Sequence, residues 1–181
     1  FGEGSLAGTV RLISNAPDAI GFGAAADLTY SSTEGGEDNQ IYNGMVNVPL
    51  GEKAAMRAVG YRKDMGGFLD ARILATGAIE EDMNDDTLTG GRLSFRFLPS
   101  ERMTIDVSAM INDAERGNRN RATDDLVGTF SVPESSEDDL SAYNGTLTYR
   151  FDAADLVVTA SYFARSVDAV IDQAGLVGGV N

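Results

Sequence analysis

Tight turns and long connections alternate strictly along this chain of 181 residues. The tight turns at 49–53, 98–102 and 151–155 each join two runs in which apolar and polar residues alternate. The connections between these pairs are much longer, acidic and rich in Gly, Asn and Asp. A membrane-spanning β-barrel has short turns at one end and long loops at the other. A soluble sandwich has no need to sort its connections by end, so the alternation favours a barrel.

Composition excludes several classes of function. The chain has no Cys and no His, which removes the usual general base, the thiolate nucleophile and the common zinc ligands. The formal net charge of −14 argues against nucleic-acid binding, because phosphate attracts cationic surfaces. The 21 glycines would be costly in helices, but they fit a twisted sheet. We expect an all-β protein that is not an enzyme and that holds neither a metal nor a cofactor.

Seven segments show the two-residue period of a strand that lies between two different environments. The clearest is 87–98, where Phe95 and Phe97 alternate with Ser94 and Arg96. The other predicted strands are 22–31, 41–50, 54–63, 103–111, 140–151 and 156–167, and 127–132 offers a short extra strand. Lengths of about 9–12 residues are close to the 9–11 or so of a tilted membrane-crossing strand. The pattern predicts an antiparallel transmembrane β-barrel meander.

A soluble antiparallel sandwich is the alternative, since its strands also alternate. The predicted strands are longer than the usual five or six or so residues of such proteins. Aromatic residues also lie near strand ends, as the girdles of a membrane barrel require; they are Phe22, Tyr30, Tyr42, Phe97, Tyr149, Phe151 and Tyr162. Single-chain bacterial barrels close with an even number of strands. Seven strands therefore predict one part of a larger barrel.

Residues 2–17, Gly-Glu-Gly-Ser-Leu-Ala-Gly-Thr-Val-Arg-Leu-Ile-Ser-Asn-Ala-Pro, resemble the end of the plug domain of TonB-dependent outer-membrane receptors. In that family a Gly-rich turn leads to a strand, and a short linker with Pro precedes the first barrel strand. Residues 46–50, 55–64 with 66–70, and 89–97 resemble the second, third and fourth barrel strands in the same order. The resemblance implies that 1–17 end the plug and that 18–181 form the N-terminal part of a barrel of about 22 strands.

The resemblance also implies a function. A receptor of this family in the outer membrane of a Gram-negative bacterium takes up a scarce solute, such as a siderophore-iron chelate, with energy from the TonB system. Its partners are the TonB system, through an N-terminal region that this chain lacks, the outer-membrane lipid, and a small-molecule or metal-chelate ligand that the sequence does not identify. The alternative is a structural or adhesin-like outer-membrane β-sheet protein without transport activity.

Two sets of polar residues are candidates for contact with a plug or a solute. The first set shares the parity that we assign to the barrel interior, and it consists of Asp27, Arg57, Arg92, Arg96, Asp106 and Arg150. A polar interior that is simply hydrated and balanced in charge is the better explanation of any one of these residues. The second set lies in the third long connection, where loops carry specificity, and it consists of Asn118, Arg119, Asn120 and Arg121.

Two further motifs resemble ligand-binding loops only in part. Asp82, Asn84, Asp85 and Asp86 offer oxygen ligands at short spacing, but position 87 is Thr where a calcium loop of the EF-hand type needs Gly. We therefore interpret this run as a solvated loop that meets a strand. The glycines at 2, 4 and 8 are spaced like a phosphate loop, but no Lys follows. A packing role is the better interpretation of that segment.

Overall fold

A computed structural model describes residues 13–122 and 125–173, and the predicted end of the plug therefore lies mostly outside the described residues. Ten strands and no helix occur within these ranges, so none of the described residues forms a helix that could cross a membrane. The strands are β1 (Gly23–Ser32), β2 (Asp38–Pro49), β3 (Ala54–Met65), β4 (Asp70–Ile73), β5 (Ile79–Glu80), β6 (Asp86–Ser100), β7 (Met103–Arg116), β8 (Val127–Phe130), β9 (Ser135–Arg150) and β10 (Asp155–Val170).

Seven of the strands form one antiparallel sheet in the order β1-β2-β3-β6-β7-β9-β10. This arrangement confirms the predicted all-β class and the antiparallel meander of seven strands. The three tight turns join β2 to β3, β6 to β7 and β9 to β10 at one end of the sheet. Gly51 has a φ of 90°, a conformation that residues with a side chain rarely adopt, so the first turn depends on glycine. The long connections all lie at the opposite end.

The strands are longer than the sequence pattern predicts. β9 and β10 each have 16 residues, and the extra residues lie mostly at the end with the long connections. There, Asp113 and Asp139 are direct partners, as are Glu115 and Glu137. Backbone hydrogen bonds continue the ladder where both faces are polar, because pairing of the main chain does not depend on apolar side chains. Alternation of hydrophobicity could not reveal these extensions.

The register gives the large sheet two chemically different faces. One row of Cα partners crosses all seven strands through Ala24, Val46, Ala58, Leu93, Ala109, Tyr143 and Tyr162. We call this side the apolar face, and Leu93 and Tyr162 are 50% and 64% exposed on it. We call the opposite side of the sheet the polar face. One row of Cα partners on it passes through Asp27, Asn43, Tyr61, Gly90, Asn112, Leu140 and Arg165. The polar face also carries single apolar residues, such as Val59 on β3 and Met110 on β7, and β10 carries Val157 and Phe163 on that side.

Two long connections fold together into a second sheet in the order β5-β4-β8. The strand β8 pairs in parallel with β4, although the two belong to different connections. Ala71, Ile73 and Phe130 form a small buried core, with Met83 packed against it. We call residues 66–85, 117–122 and 125–134 the cap. The predicted strand at 127–132 is confirmed in β8. The strands β4 and β5 in the long connection 64–86 were not predicted, because strands of four and two residues are too short to show a period.

The cap is also packed against the connection between β1 and β2. The Glu37 backbone amide donates to the Gly67 carbonyl at 2.9 Å, and the Gly67 amide donates to the Glu37 carboxylate at 3.3 Å. A Cβ at Gly67 would lie 1.7 Å from the Asp82 carbonyl oxygen, so no larger residue fits there without movement of the backbone. All three long connections therefore form one continuous structure above the sheet.

Candidate functional site

All six residues assigned to the interior by parity lie on the polar face of the sheet. Asp27 is on β1, Arg57 on β3, Arg92 and Arg96 on β6, Asp106 on β7 and Arg150 on β9. Asp27 accepts a hydrogen bond from the Asn43 side chain at 3.3 Å. Arg96 and Asp106 form a two-pronged ion pair. The six residues therefore share one side of the large sheet, as their shared parity predicted.

Arg57 and Arg92 are diagonal neighbours on this face, because Arg57 is the Cα partner of Ser94, two residues from Arg92. The Nε atom of each is buried and has no hydrogen-bond partner among the described residues. An unpaired buried donor costs about 1–3 kcal/mol. Buried donors of this kind usually have an acceptor. The described residues supply no acceptor for the Nε atoms of Arg57 and Arg92.

The segment before β1 lies against the polar face near the end with the tight turns. The Asp18 backbone amide donates to the Asn47 side chain at 2.9 Å. The Asn47 amide donates in turn to the carbonyls of Asp18 and Gly21, each at 2.8 Å. Asn47 is itself buried, and so is Pro17. The chain therefore reaches β1 along the polar side of the sheet.

The four loop candidates all have partners within the protein. Asn118 is buried, and its side-chain oxygen accepts from the Glu134 backbone amide. The Asn120 side-chain oxygen accepts from Asn84 at 2.8 Å, and the Arg121 guanidinium lies 5.1 Å from the centre of the Phe130 ring. Arg119 binds Glu134 with both its side chain and its backbone amide. These residues hold the cap together, which sequence reasoning did not predict.

Arg119, Glu134 and Asp172 form a cluster that we call the clasp, which joins the cap to the segment after β10. The side chain of Glu134 is 2% exposed. It accepts from Arg119 Nε at 2.9 Å and from the Asp172 backbone amide at 2.8 Å. Burial acts to raise the pKa of Glu134, but the hydrogen bonds from Arg119 and Asp172 outweigh it and hold the pKa below its ordinary value. Glu134 is therefore a carboxylate that the fold keeps ionised.

Neither Glu134 nor Asp172 carried a signal in the sequence. Each is a single acidic residue in a segment without periodicity. Glu134 is 15 residues from its partner Arg119 and 38 residues from Asp172. A local sequence pattern cannot predict contacts between residues so far apart. Only the folded arrangement of the connections identifies them.

The acidic run 82–86 is a structural junction. The Asn84 side-chain oxygen accepts from the backbone amides of Phe68 and Leu69, at 2.7 and 2.8 Å. Asp86 is instead a strand residue, within 3.3 Å of Arg116. Within 13–122 and 125–173, no three carboxylates come together in a group that could hold a metal ion. The run therefore connects the cap to β6. The glycines at 2, 4 and 8 lie outside the described residues.

A cavity of about 500 Å³ lies between the clasp and the end of the large sheet. Asp86 and Arg116 are direct partners on the polar face, and Arg116 is in turn the partner of Ser136. The cavity is lined by Asn84, Asp85, Asp86, Arg116, Gly117, Asn118, Arg119, Asn120, Glu134, Ser135, Ser136, Ala169, Val170 and Ile171. It combines amides, carboxylates, guanidinium groups and hydroxyls with one aliphatic wall, so it can bind a molecule that both donates and accepts hydrogen bonds.

Comparison with known proteins gives no match, whether to a protein family model, to a curated protein or to a solved structure. The two faces of the large sheet, the cap and the cavity are therefore the features from which a function can be inferred.

Proposed function

We propose that this chain is part of an outer-membrane receptor that takes up a scarce solute, such as a siderophore-iron chelate, with energy from the TonB system. The observation that carries the proposal is the apolar face, which runs across all seven strands and remains exposed. Large exposed apolar surfaces mark contact with a partner or a membrane. A band that continues from strand to strand fits lipid better than it fits a local protein interface.

The apolar band has the extent of a membrane crossing. On β7 it comprises every second residue from 103 to 111, which are Met, Ile, Val, Ala and Ile, and Asp113 and Glu115 follow on the same face. Nine residues fit the 9–11 or so that a tilted strand needs to cross a bilayer. The carboxylates of Asp113 and Asp139 lie directly opposite each other, an arrangement that is tolerable only in water. The band therefore ends where a headgroup region would begin.

Aromatic residues mark both borders of the band. On the side of the long connections, the Tyr30 hydroxyl donates to Asp38 at 2.6 Å and the Tyr42 hydroxyl donates to Gln40. On the side of the tight turns, the rings of Tyr149 and Phe151 pack with their centres 4.6 Å apart. Aromatic rings with a polar tip favour the interface between lipid and water. Their positions on both borders support a membrane crossing. The cap is then outside, because membrane barrels have short periplasmic turns and longer extracellular loops.

The edges of the large sheet support a larger assembly. Within the described residues, β1 pairs only with β2 and β10 pairs only with β9. An exposed edge of 16 residues, as in β10, is a template for another strand. We propose that further strands extend the sheet to a closed barrel of about 22 strands, in which the polar face is internal. The segment that Asn47 binds then lies inside the barrel, where a plug would be.

A structural outer-membrane protein without transport activity is the second candidate. One observation favours it: Arg119, Asn120 and Arg121 are engaged within the cap, and so is the side-chain oxygen of Asn118. Residues that select a solute need free donors or acceptors, whereas residues that stabilise an outer cap do not. The two candidates share the membrane-spanning sheet and differ only in transport.

The membrane assignment can be tested with spin labels, because the chain has no Cys of its own. Single Cys substitutions at 105, 107, 109 and 111 place a nitroxide on the apolar face of β7, and those at 104, 108 and 110 place it on the polar face. In liposomes we expect oxygen to reach the first set and a water-soluble nickel complex to reach the second. Labels at 113 and 115 serve as controls, since they share the apolar face but lie beyond the band.

The proposal fails if the nickel complex reaches both sets of labels equally. Transport requires a separate test in cells. A strain without the gene and a strain without functional TonB are compared with the parent for growth on a panel of ferric chelates. Loss of growth on the same chelate in both strains supports uptake. If the strain without the gene grows unchanged on every chelate, the result favours the structural protein without transport activity.

A further inference from the structure

The cavity between the clasp and the polar face contains two buried polar atoms that lack hydrogen bonds. They are Asn118 Nδ2, a donor, and Asp86 Oδ1, an acceptor, and neither has a hydrogen-bond partner among the described residues. Asn118 is 5% exposed, so its amide is largely shielded from bulk solvent. Asp86 is the Cα partner of Arg116. The antiparallel pairing continues one residue further, where the Gly117 amide donates to the Asp85 carbonyl. Asn118 is the next residue after Gly117. Both residues line the same cavity.

Charges in the cavity wall are largely balanced. Arg119 is paired with Glu134, and Arg116 Nε lies 3.3 Å from Asp86 Oδ1. Asp85 is the one further carboxylate among the residues that line the cavity. A wall in which most charges have a partner offers little gain to a phosphate or to a metal cation, because either would have to break an existing pair. The balance favours a neutral ligand.

We propose that this cavity binds a neutral polyhydroxylated molecule, such as a glycoside or the sugar part of a larger solute. A hydroxyl group both donates and accepts, so the hydroxyls of one ligand can accept from Asn118 Nδ2 and donate to Asp86 Oδ1. Arg116 Nε lies 3.3 Å from Asp86 Oδ1, but a carboxylate oxygen has two lone pairs, so it can accept from a hydroxyl without losing that ion pair. Residues 169–171, which are Ala, Val and Ile, supply an aliphatic wall for the C–H surface of the ring.

The size of the cavity supports a ligand of this kind. A volume of about 500 Å³ lies within the range of roughly 300–1,000 Å³ typical of small-molecule sites, whereas one water needs only about 30 Å³. The inference names a ligand class for the receptor proposed above and depends on that proposal for its biological meaning. Binding itself can be measured without transport.

The test is an NMR titration of the full chain in detergent micelles with the methyl glycosides of glucose, galactose and mannose. We expect at least one glycoside to shift the Asn118 side-chain amide and the Gly117 backbone amide saturably, with half-saturation near 1 mM or below. Ser136→Leu fills the cavity from the polar face and should weaken binding by about tenfold or more. Ser166→Leu is the matched control, since Ser166 is on the apolar side of β10 and does not line this cavity.

Three results overturn the inference. The first is the absence of any shift at Asn118 and Gly117 with all three glycosides, which means that the cavity holds only water. The second is an equal loss of binding in the Ser136→Leu and Ser166→Leu variants, which means that the sugar binds elsewhere. The third is binding of inorganic phosphate at the same amides without binding of a glycoside. If glycosides bind but the spin labels show no lipid contact, the site stands and the receptor proposal fails.

Discussion

Arg96 on β6 and Asp106 on β7 are direct partners across the sheet, and their side chains form two hydrogen bonds of 2.7 and 2.8 Å. Both side chains are about one-third exposed, so solvent screens the pair only in part. The fork of the guanidinium fits both carboxylate oxygens, which gives this pair a fixed geometry. The pair lies on the polar face of the large sheet.

We expect a double-mutant cycle of Arg96→Met and Asp106→Asn to give a coupling free energy of about 0.5–1 kcal/mol in urea unfolding followed by circular dichroism. The geometry of the pair is good, but its partial exposure limits the gain. The cycle of Arg62→Met and Asp64→Asn is the control, because that pair links neighbours on one strand and is more exposed at Arg62. A coupling at Arg96 no larger than that of the control would contradict the expectation.

Gly90 allows Tyr61 to cross the strand β6. The Tyr61 hydroxyl donates to Asn112 on β7 at 2.7 Å, and a Cβ at Gly90 would lie 2.5 Å from that hydroxyl oxygen. We expect Gly90→Ala to displace the ring and to lower the free energy of unfolding by about 1–2 kcal/mol, through the lost hydrogen bond and poorer packing.

The matched variant is Gly44→Ala on β2, where an added Cβ meets nothing within 4 Å. It should be neutral or slightly stabilising, because alanine restricts the unfolded chain. Tyr61→Phe already lacks the hydrogen bond to Asn112, so adding Gly90→Ala to it should lower the free energy of unfolding by less than Gly90→Ala does alone. Additive losses in the double variant would show that Tyr61 does not depend on Gly90.

Glu134 should make the cap sensitive to acid. Its pKa in the folded protein is below the ordinary value of 4.5, so its contribution to stability is present above pH 4.5 and is lost as the pH falls through the folded pKa. Hydrogen exchange at the Arg119 and Ser131 amides should therefore accelerate below about pH 4.5, beyond the intrinsic change with pH. These amides donate to Glu134 and Asp172.

Glu134→Gln keeps the shape of the side chain without the charge, so it should remove this acid-dependent acceleration and leave the amides less protected near pH 7. Glu137→Gln, on β9 just beyond the clasp, serves as the control and should behave like the unmodified chain. An acid response that persists in Glu134→Gln would assign the effect to another carboxylate.

Phe130 should stabilise the cap without stabilising the large sheet. It is 2% exposed and packs with Ala71 and Ile73. Phe130→Ala removes most of this small core, at a cost of about 3–5 kcal/mol. Because the cap is a separate sheet, we expect hydrogen exchange to show local opening of β4, β5 and β8, with protection retained in β6 and β7. Val132→Ala, at a more exposed position of the same connection, should change neither region; loss of protection throughout the chain would show that the two sheets unfold together.

The sequence predicted the large sheet well because the signal for a strand is local. The alternation of Phe95 and Phe97 with Ser94 and Arg96 predicted β6 and assigned its two faces. The three tight turns gave the hairpins, and the shared parity of Asp27, Arg57 and Asp106 was correct because the register keeps partners on one side. Membrane insertion, closure of the barrel and energy from TonB remain predictions.

By itself, then, the sequence determined the all-β class, the number and order of the long strands, and the division between an apolar and a polar face. Tertiary structure alone decided how the long connections fold: the parallel pairing of β4 with β8, the clasp around Glu134, and the cavity beside Asn118. The physical reason is the range of the interactions. A two-residue period repeats within each strand, whereas the contacts of the cap join single residues that are far apart in the chain and leave no repeated pattern.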